Sequence, residues 1–358
     1  MRSDLDALIK SIKPVRQSIQ KEAINRFDQL TKPTGSLGYL EDLTARAAAV
    51  YGKLNPRLSR KIIFLMAADH GVAEEKISAY PSEITHKMVC NFLNGGAAIN
   101  VLARHFGTEV IITDMGVKGT FENHSAIIDK KLAQGTHNMA IGPAMSREMA
   151  YKAIWRGYQV FNEMNSQQNI DLIGLGEMGI GNTTASSAII ALLTGHSIEK
   201  VADVGTGLNA RELQHKIKII KQAFCVNQPN AKDAIDVLAK VGGFEIGGLV
   251  GCIFAAAQKR IPIFVDGFIS GACVLLANLM APQVKDYLFA SHCSREKGHR
   301  LTLAYLKLKP MFDLEMHLGE GTGAIFGMNF LEAGFKLLNQ MATFEEMDLL
   351  LKQQTGVK

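Results

Sequence analysis

The chain has 358 residues, of which 47% are hydrophobic and 20% are charged. This composition is typical of a globular protein and excludes a disordered, collagen-like or coiled-coil chain. The 39 Lys and Arg residues exceed the 34 Asp and Glu residues by five, and they are spread along the chain rather than gathered into the basic stripe of a nucleic-acid-binding protein. No nucleic-acid partner is therefore expected.

The five cysteines are widely spaced and form no CxxC pair. This spacing argues against a disulfide scaffold and against a structural zinc site, and it favours a reducing compartment. Residues 1–20 contain no apolar core of the kind found in secretory signals. A cytoplasmic location is therefore expected.

The predicted elements begin with helices, which residues 1–54 form around one polar loop at residues 31–38. Short, nearly continuous apolar runs follow, and they predict strands buried on both faces at residues 61–67, 110–113, 171–175, 261–265 and 287–290. Segments with helical periodicity alternate with these runs at residues 82–92, 146–165, 183–193, 212–224, 244–258 and 270–280. Residues 323–353 are again helical, with Met-rich apolar faces.

This alternation predicts an α/β fold, with a doubly wound, mainly parallel sheet flanked by helices. The helical ends predict a small helical domain of residues 1–30 and 323–358 beside an α/β domain of residues 31–322. One apolar stretch, residues 261–281, is long enough to span a bilayer, but Pro262, Asp266, Gly267 and Gly271 interrupt it. We interpret it as a buried strand and helix, and no membrane partner is expected.

Ligands of an open parallel sheet bind beyond the carboxyl ends of the strands, so the polar residues that follow each apolar run are the candidates for a site. The richest of these segments is glycine-rich. Residues 174–179 match GxGxxG, the dinucleotide pattern, although the next helix starts later, at Asn182. Four glycines within eight residues favour a loop whose N–H groups hold a phosphate, and Gly205-Thr206-Gly207 predicts a second such loop. The alternative is that these glycines only make turns and close packing.

Five other residues have two interpretations each. Glu320, between two glycines, is either a catalytic carboxylate or a solvated turn residue. The histidines of Asp69-His70 and His292-Cys293 either bind a metal or, more commonly, form internal hydrogen bonds, since no ligand spacing accompanies them. Asp266 is expected to cap a helix or hold a loop rather than catalyse. Lys216 lies on a helix with Lys218 and Lys221, where the alternative to a binding role is a solvated face.

Several motifs closely resemble, in order and over most of the chain, those of the nicotinate-nucleotide:dimethylbenzimidazole phosphoribosyltransferase family. They are Lys32-Pro33-Thr34-Gly35-Ser36-Leu37-Gly38, Ala68-Asp69-His70-Gly71-Val72, residues 174–184, Val241-Gly242-Gly243-Phe244-Glu245, Asp266-Gly267-Phe268, Ser291-His292 with Ser294, Glu296-Lys297-Gly298 and Leu318-Gly319-Glu320-Gly321-Thr322-Gly323-Ala324. The resemblance implies transfer of the phosphoribosyl group of nicotinate mononucleotide to 5,6-dimethylbenzimidazole. The products are α-ribazole 5′-phosphate, which is the activated lower ligand of cobalamin, and nicotinate, which is the leaving group.

The chemistry of this reaction requires one base and no metal or redox cofactor. Nicotinate leaves neutral at its ring nitrogen, whereas the benzimidazole must lose its N–H as its other nitrogen attacks C1′. Glu320 matches the family's catalytic glutamate. The resemblance further implies a nucleotide and phosphate site, a slot for the base, and supporting residues. The nucleotide and phosphate site consists of Glu177, Gly179, Asn182, Thr183, Gly205, Gly207, Lys216 and Ser294. The base slot is lined by Tyr80, Pro81, Met88, Met178 and Leu318, and the supporting residues are Asp69, His70 and Asp266.

The family also implies a homodimer. The chain departs from it at positions 87 and 88, where relatives often carry a glutamine near this point and this chain has Lys87 and Met88; the preferred base is therefore open. Three other functions compete with transfer. They are an NAD-dependent oxidoreductase using GxGxxG and Glu199, a metal-dependent phosphohydrolase using Asp69, His70, Asp114 and His292, and a ligand-binding protein without catalysis.

Overall fold

Six parallel strands form the centre of the protein. The computed structural model describes residues 2–121, 124–205 and 207–355. The strand order is β3-β2-β1-β4-β5-β6, and each neighbouring pair is parallel. The strands are β1 (Lys61–Ala68), β2 (Glu109–Gly116), β3 (Ile128–Asp129), β4 (Leu172–Met178), β5 (Ile263–Val265) and β6 (Leu288–Ala290). All five predicted runs form strands, and the predicted doubly wound α/β fold is confirmed.

Fifteen helices surround this sheet in the part of the chain that the structure describes. They are α1 (Arg2–Ser11), α2 (Gln17–Gln29), α3 (Tyr39–Tyr51), α4 (Glu83–Leu93), α5 (Ala98–Phe106), α6 (Arg147–Gln167), α7 (Asn182–Thr194), α8 (Ile198–Val201), α9 (Ala210–Asn227), α10 (Ala234–Val241), α11 (Phe244–Gln258), α12 (Phe268–Met280), α13 (Lys297–Leu306), α14 (Thr322–Gln340) and α15 (Phe344–Thr355). Two short 3₁₀ helices, Gly71–Glu75 and Pro282–Tyr287, complete the elements. The helices absent from the prediction, such as α5 and α10, are short.

Helices cover both faces of the sheet. Gly248 of α11 lies against Met66 of β1, whereas α14 packs on the side of Ile63. Side chains three positions apart on a strand point to opposite faces, so α11 and α14 lie on opposite sides of β1. This double cover explains why all eight residues of β1 are buried and why the seven residues after Lys61 are continuously apolar.

The two ends of the chain meet beside the sheet. α2 packs on α3, and both contact α14. An isolated bridge joins Leu30 to Thr343, and the Arg26 side chain donates to the carbonyl oxygen of Leu338 at 2.8 Å. α14 also packs on β4 and β5, so the division into a domain of residues 31–322 and a small helical domain stays a prediction. Within the described residues no helix is long and apolar enough to cross a membrane.

Candidate active site

The chain reverses its winding between β1 and β4, since β2 and β3 lie on one side and β5 and β6 on the other. In such sheets ligands bind outside the carboxyl ends of the strands at this point. Here the loops after β1 and β4 touch. A Cβ on Gly181 would lie 3.0 Å from the Cβ of His70, and Gly179 lies directly against the carbonyl oxygen of Ala68. The predicted glycine segment therefore lies at the expected position of a ligand.

Glu320 sits in a tight loop that follows no strand but reaches this same edge. Gly319, Glu320 and Gly321 have φ angles of 88°, 62° and 84°, and three successive left-handed residues are rare unless surrounding contacts hold them. Asp266, at the end of β5, supplies such contacts. Its carboxylate accepts the backbone N–H groups of Gly321 at 3.3 Å, Gly323 at 2.6 Å and Ala324 at 3.1 Å. Asp266 therefore caps α14 and fixes the loop that carries Glu320.

The Glu320 side chain is almost buried, with 6% of the residue exposed. Its Oε2 accepts the backbone N–H of Ile99 in the first turn of α5 at 3.4 Å. Burial raises the pKa of Glu320, the Ile99 N–H opposes this rise, and the nearby Asp266 adds to it. A carboxylate with a raised pKa is a stronger base than an exposed glutamate, which suits a proton acceptor.

Gly176 of β4 leaves the space that the Glu320 loop occupies. A Cβ on Gly176 would lie 2.8 Å from the carbonyl oxygen of Glu320 and 2.9 Å from Cγ2 of Ile63. Because backbone atoms and a buried strand cannot move away cheaply, we expect Gly176→Ala to displace Glu320 and to lower kcat by about tenfold to a hundredfold. Steady-state kinetics of nicotinate release, the reaction that the family resemblance implies, measures this loss. Gly142→Ala is the control, since a Cβ there meets nothing within 4 Å, and wild-type kcat in Gly176→Ala would contradict the packing argument.

Glu177 is the next residue of β4, and it is buried among other acidic groups. Its Oε2 accepts a hydrogen bond from the Asn182 side chain at the start of α7. Burial, followed by the charges of Asp266 and Glu245, raises the pKa of Glu177 to about 8, and a hydrogen bond from the Glu320 backbone opposes the rise. Glu177 is therefore protonated at neutral pH, unlike an ordinary glutamate.

The raised pKa of Glu177 has a consequence for stability. Between pH 4.5 and about 8 the folded state keeps a proton that the unfolded state has lost, so this residue makes the free energy of unfolding fall as pH rises. Glu177→Gln cannot ionise, and its amide oxygen still accepts from Asn182. From pH 5 to pH 8 we expect the wild type to lose roughly 2 to 4 kcal/mol more than this variant. Urea unfolding at both pH values measures the difference, and parallel losses would contradict the assignment.

Lys216 lies in a buried position on α9, with 1% of the residue exposed. The interpretation of Lys216 as part of a solvated face is therefore wrong, although Lys218 and Lys221 on the same helix are exposed. Its Nζ donates to Oγ1 of Thr183 at 3.0 Å and to the carbonyl oxygen of Asp203 at 3.4 Å. Burial lowers the pKa of Lys216 to about 8, against the charges of Glu296 and Asp203. A buried amine that contacts only neutral atoms is suited to an anionic ligand.

The second predicted glycine loop lies beside this lysine. Gly205 and Gly207 have φ angles of 55° and 101°, and a Cβ on Gly205 would lie 3.3 Å from Nζ of Lys216. Thr206, between them, lies outside the described residues. Ser294, after β6, is buried; its N–H donates to Nδ1 of His299 at 2.9 Å, and its Oγ accepts the N–H of Glu296 at 3.3 Å.

The remaining polar residues of this edge lie near other polar groups of the protein. Nε2 of His70 lies 2.7 Å from Oε1 of Glu245, and both side chains are buried. Asp69 accepts the N–H of Lys118 at 2.7 Å, and Nδ1 of His292 lies 3.8 Å from Oδ1 of Asp266. In residues 2–121, 124–205 and 207–355 no three His, Cys, Asp or Glu side chains are placed to hold a metal ion. The four residues of the phosphohydrolase hypothesis are thus not brought together as a metal site.

The structure corrects the prediction of a single phosphate loop over residues 174–184. Gly174 and Gly176 lie inside β4, paired with Ile63 and Leu65 of β1, rather than in a turn between strand and helix. A Cβ on Gly174 would also meet Ala324 of α14 at 2.9 Å. These two glycines thus serve close packing, and the dinucleotide pattern does not occupy the position that NAD binding requires. Glu199, the other residue of that hypothesis, forms an ion pair with Lys221.

The five residues predicted to line the base slot remain a prediction. Tyr80, Pro81 and Leu318 are exposed, and Met88 and Met178 are half-buried. One contact relates two of their segments: Oγ1 of Thr85 on α4 accepts the N–H of Ile180 at 3.0 Å. Because Met88 is one helical turn beyond Thr85, it lies on the face of α4 that meets the loop after β4.

The structure places three residues beside the site that the sequence does not predict to lie there. Ile99 acts through its backbone N–H, which no side-chain pattern indicates. Glu245 and Glu296 both lie inside motifs that carry the family resemblance, so their presence there was the available signal. A glutamate at the start of a helix is ordinarily only a favourable terminal charge, so the sequence pattern alone gives neither residue a role in the site.

Comparison with known proteins extends over almost the whole chain. A family model described as phosphoribosyltransferase matches residues 12–349. The chain is 47% identical over 350 residues to the nicotinate-nucleotide–dimethylbenzimidazole phosphoribosyltransferase of Chloroflexus aggregans, covering 98% of this chain and 99% of the relative. The enzyme of the same name from Geobacter metallireducens is 49% identical over 342 residues, covering 96% and 97%.

A solved structure gives the same result for the fold. The crystal structure of CobT from Thermus thermophilus is 41% identical in sequence and superimposes with a TM-score of 0.88, covering 92% of this chain and 98% of that one. Matches of this identity and coverage establish more than a shared fold. The chain belongs to the nicotinate-nucleotide–dimethylbenzimidazole phosphoribosyltransferase family.

Proposed function

We propose that the protein transfers the phosphoribosyl group of nicotinate mononucleotide to 5,6-dimethylbenzimidazole, giving α-ribazole 5′-phosphate and nicotinate. The observation that carries this proposal is that one segment, from the end of β4 to the start of α7, contacts both the Glu320 loop and Lys216. Gly176 packs against the Glu320 loop, and Thr183 binds the buried Lys216. One short segment thus joins a candidate base to a candidate phosphate site.

Glu320 removes the proton from the incoming base. As one benzimidazole nitrogen attacks C1′, the other must lose its N–H, or the product would stay cationic. The Glu320 carboxylate accepts this proton; its loop, capped by Asp266, holds it in place. Nicotinate leaves neutral at the ring nitrogen and needs no acid. Attack opposite to the leaving group inverts C1′ from β to α.

The ribose phosphate lies at the other half of the site. Lys216 supplies the positive charge, and Thr183 in the first turn of α7 supplies an N–H donor at a helix N-terminus. Asn182 holds Glu177 through its side chain, since its own N–H donates to the carbonyl oxygen of Gly179. Gly179, Gly205 and Gly207 keep the backbone bare for close approach, and Ser294 contributes its hydroxyl. Glu177, protonated at neutral pH, can donate as well as accept a hydrogen bond to the nucleotide.

The proposal extends to the acceptor slot, the assembly and the location of the protein. Tyr80, Pro81, Met88, Met178 and Leu318 form apolar walls for a flat aromatic base. The protein acts as a homodimer in the cytoplasm. The resemblance to the family supports the dimer, and the five free cysteines favour a reducing compartment.

The function is tested with purified protein, nicotinate mononucleotide and 5,6-dimethylbenzimidazole. We expect release of one nicotinate per α-ribazole 5′-phosphate formed, identified by the anomeric proton in an NMR spectrum, with equal rates in EDTA. Benzimidazole and adenine in place of dimethylbenzimidazole define the preferred base. No nicotinate release with any of these acceptors would contradict the proposed function.

A further inference from the structure

Glu296 is a buried acidic residue to which the reaction described above gives no role. It is 8% exposed, and it lies two residues after Ser294. Its Oε2 is buried and has no hydrogen-bond partner among the described residues. Leaving a buried carboxylate oxygen unpaired is costly. A group that is absent from the protein alone is therefore expected to bind there.

Glu296 and Lys216 share a neighbour. The Gly205 backbone hydrogen-bonds to the Glu296 carboxyl group, and a Cβ on Gly205 would lie 3.3 Å from Nζ of Lys216. The two side chains influence each other's charge, yet no ion pair joins them in the part of the chain described here. Lys216 and Glu296 therefore both adjoin Gly205 in the proposed phosphate site.

Other charged groups face Glu296 from two further segments. Asp203 precedes α9, and His317 precedes the Glu320 loop. Asp203 is itself engaged by Lys297, at 3.6 Å. Burial raises the pKa of Glu296; Lys216 opposes the rise, Asp203 adds to it and His317 opposes it. Lys216 is thus the principal group that opposes the rise in the pKa of Glu296.

We propose that Glu296 is a further phosphate-binding residue, which takes up a proton from solvent when the nucleotide phosphate binds beside Lys216 and then donates a hydrogen bond to a phosphate oxygen. The inference rests on the proposed function. Two anions in contact in a buried site cannot both stay ionised, and the phosphate takes over the positive charge that had favoured the ionised carboxylate. The proton comes from the buffer acid, and no covalent bond of the nucleotide changes. Binding therefore consumes up to one proton per nucleotide.

The test is isothermal titration calorimetry of nicotinate mononucleotide at pH 7.0, in buffers that differ in ionisation enthalpy. At this pH Lys216 and Glu177, each with a pKa of about 8, are already about nine-tenths protonated and contribute little. The free nucleotide phosphate, with a second pKa of about 6, is mostly a dianion. We expect the wild type to take up about 0.5 to 1 proton per nucleotide, and Glu296→Gln to take up less than about 0.2.

Glu315→Gln is the matched control, because Glu315 is an exposed carboxylate in the connection before α14; it should keep the wild-type uptake. Equal proton uptake by Glu296→Gln and the wild type would overturn the inference, as would binding to the wild type without uptake. The proposed function would survive either result. Absence of binding to the wild type would contradict both.

A second measurement applies if Glu296→Gln does not fold. The dissociation constant of the wild type for the nucleotide is measured from pH 6.5 to pH 7.5. Linkage to one proton predicts that binding weakens up to about tenfold over this interval. A dissociation constant that does not change over this interval would overturn the inference without the variant.

Discussion

Replacing Glu320 with glutamine is expected to lower kcat at least about a hundredfold, the low end for loss of a general base. Glutamine has the same length, and its amide oxygen still accepts the N–H of Ile99, but it cannot take a proton from the benzimidazole. The loop should keep its conformation, because Asp266 holds it through backbone atoms alone. Nicotinate release at saturating concentrations of both substrates measures the effect.

Glu315→Gln is the matched control for this variant. Glu315 lies in the same connection before α14 and also has a positive φ, of 55°, but its side chain is exposed. It should retain wild-type kcat. The KM for nicotinate mononucleotide should change little in Glu320→Gln, since the base acts on the acceptor. Wild-type turnover by Glu320→Gln would rule out Glu320 as the base.

Replacing Lys216 with methionine is expected to lower kcat/KM at least about thirtyfold, which corresponds to about 2 kcal/mol of lost interaction with the phosphate. The loss should appear mainly as a higher KM for the nucleotide. Methionine has a similar length, so the packing of the side chain on α9 should be kept, although the cation that faces Glu296 is lost. Initial rates over a range of nucleotide concentrations, with thermal unfolding in parallel, measure both effects.

Lys218→Met tests whether any positive charge on α9 is enough to bind the phosphate. Lys218 is only two residues away but exposed, so its removal should leave kcat/KM within about twofold of the wild type. Similar losses in both variants would show that general electrostatic attraction, rather than the buried amine, binds the phosphate. An unchanged KM in Lys216→Met would contradict its placement in the phosphate site.

Burial on both faces of the sheet made most of the fold predictable. β1 lies between α11 and α14, so its eight residues are all buried, and the seven after Lys61 are apolar. The pattern fails for β3, because Ile128 and Asp129 pair only with Thr113 and Asp114. Two residues at the edge of a sheet produce no apolar run, so a search for apolar runs does not detect β3.

The candidate site was predictable where glycines mark an unusual backbone conformation. It was not predictable where segments that are distant in the sequence meet. Gly319 and Gly321 mark the left-handed loop around Glu320, but Ile99, which binds its carboxylate, lies 221 residues away. The glycines of β4 match the sequence pattern of a phosphate-binding loop. Only their contacts with Glu320 and Ala324 distinguish packing from ligand binding. The burial of Lys216 likewise depends on what α9 packs against, which the spacing of its lysines does not indicate.

The most direct test of Glu320 as the general base compares two acceptors in the wild type and in Glu320→Gln. 5,6-Dimethylbenzimidazole has an N–H to lose, whereas its N-methylated analogue, 1,5,6-trimethylbenzimidazole, has none and can attack through its free nitrogen without a base. We expect Glu320→Gln to slow nicotinate release at least about a hundredfold with the first acceptor and less than about threefold with the second. An equal loss with both acceptors would contradict proton removal by Glu320.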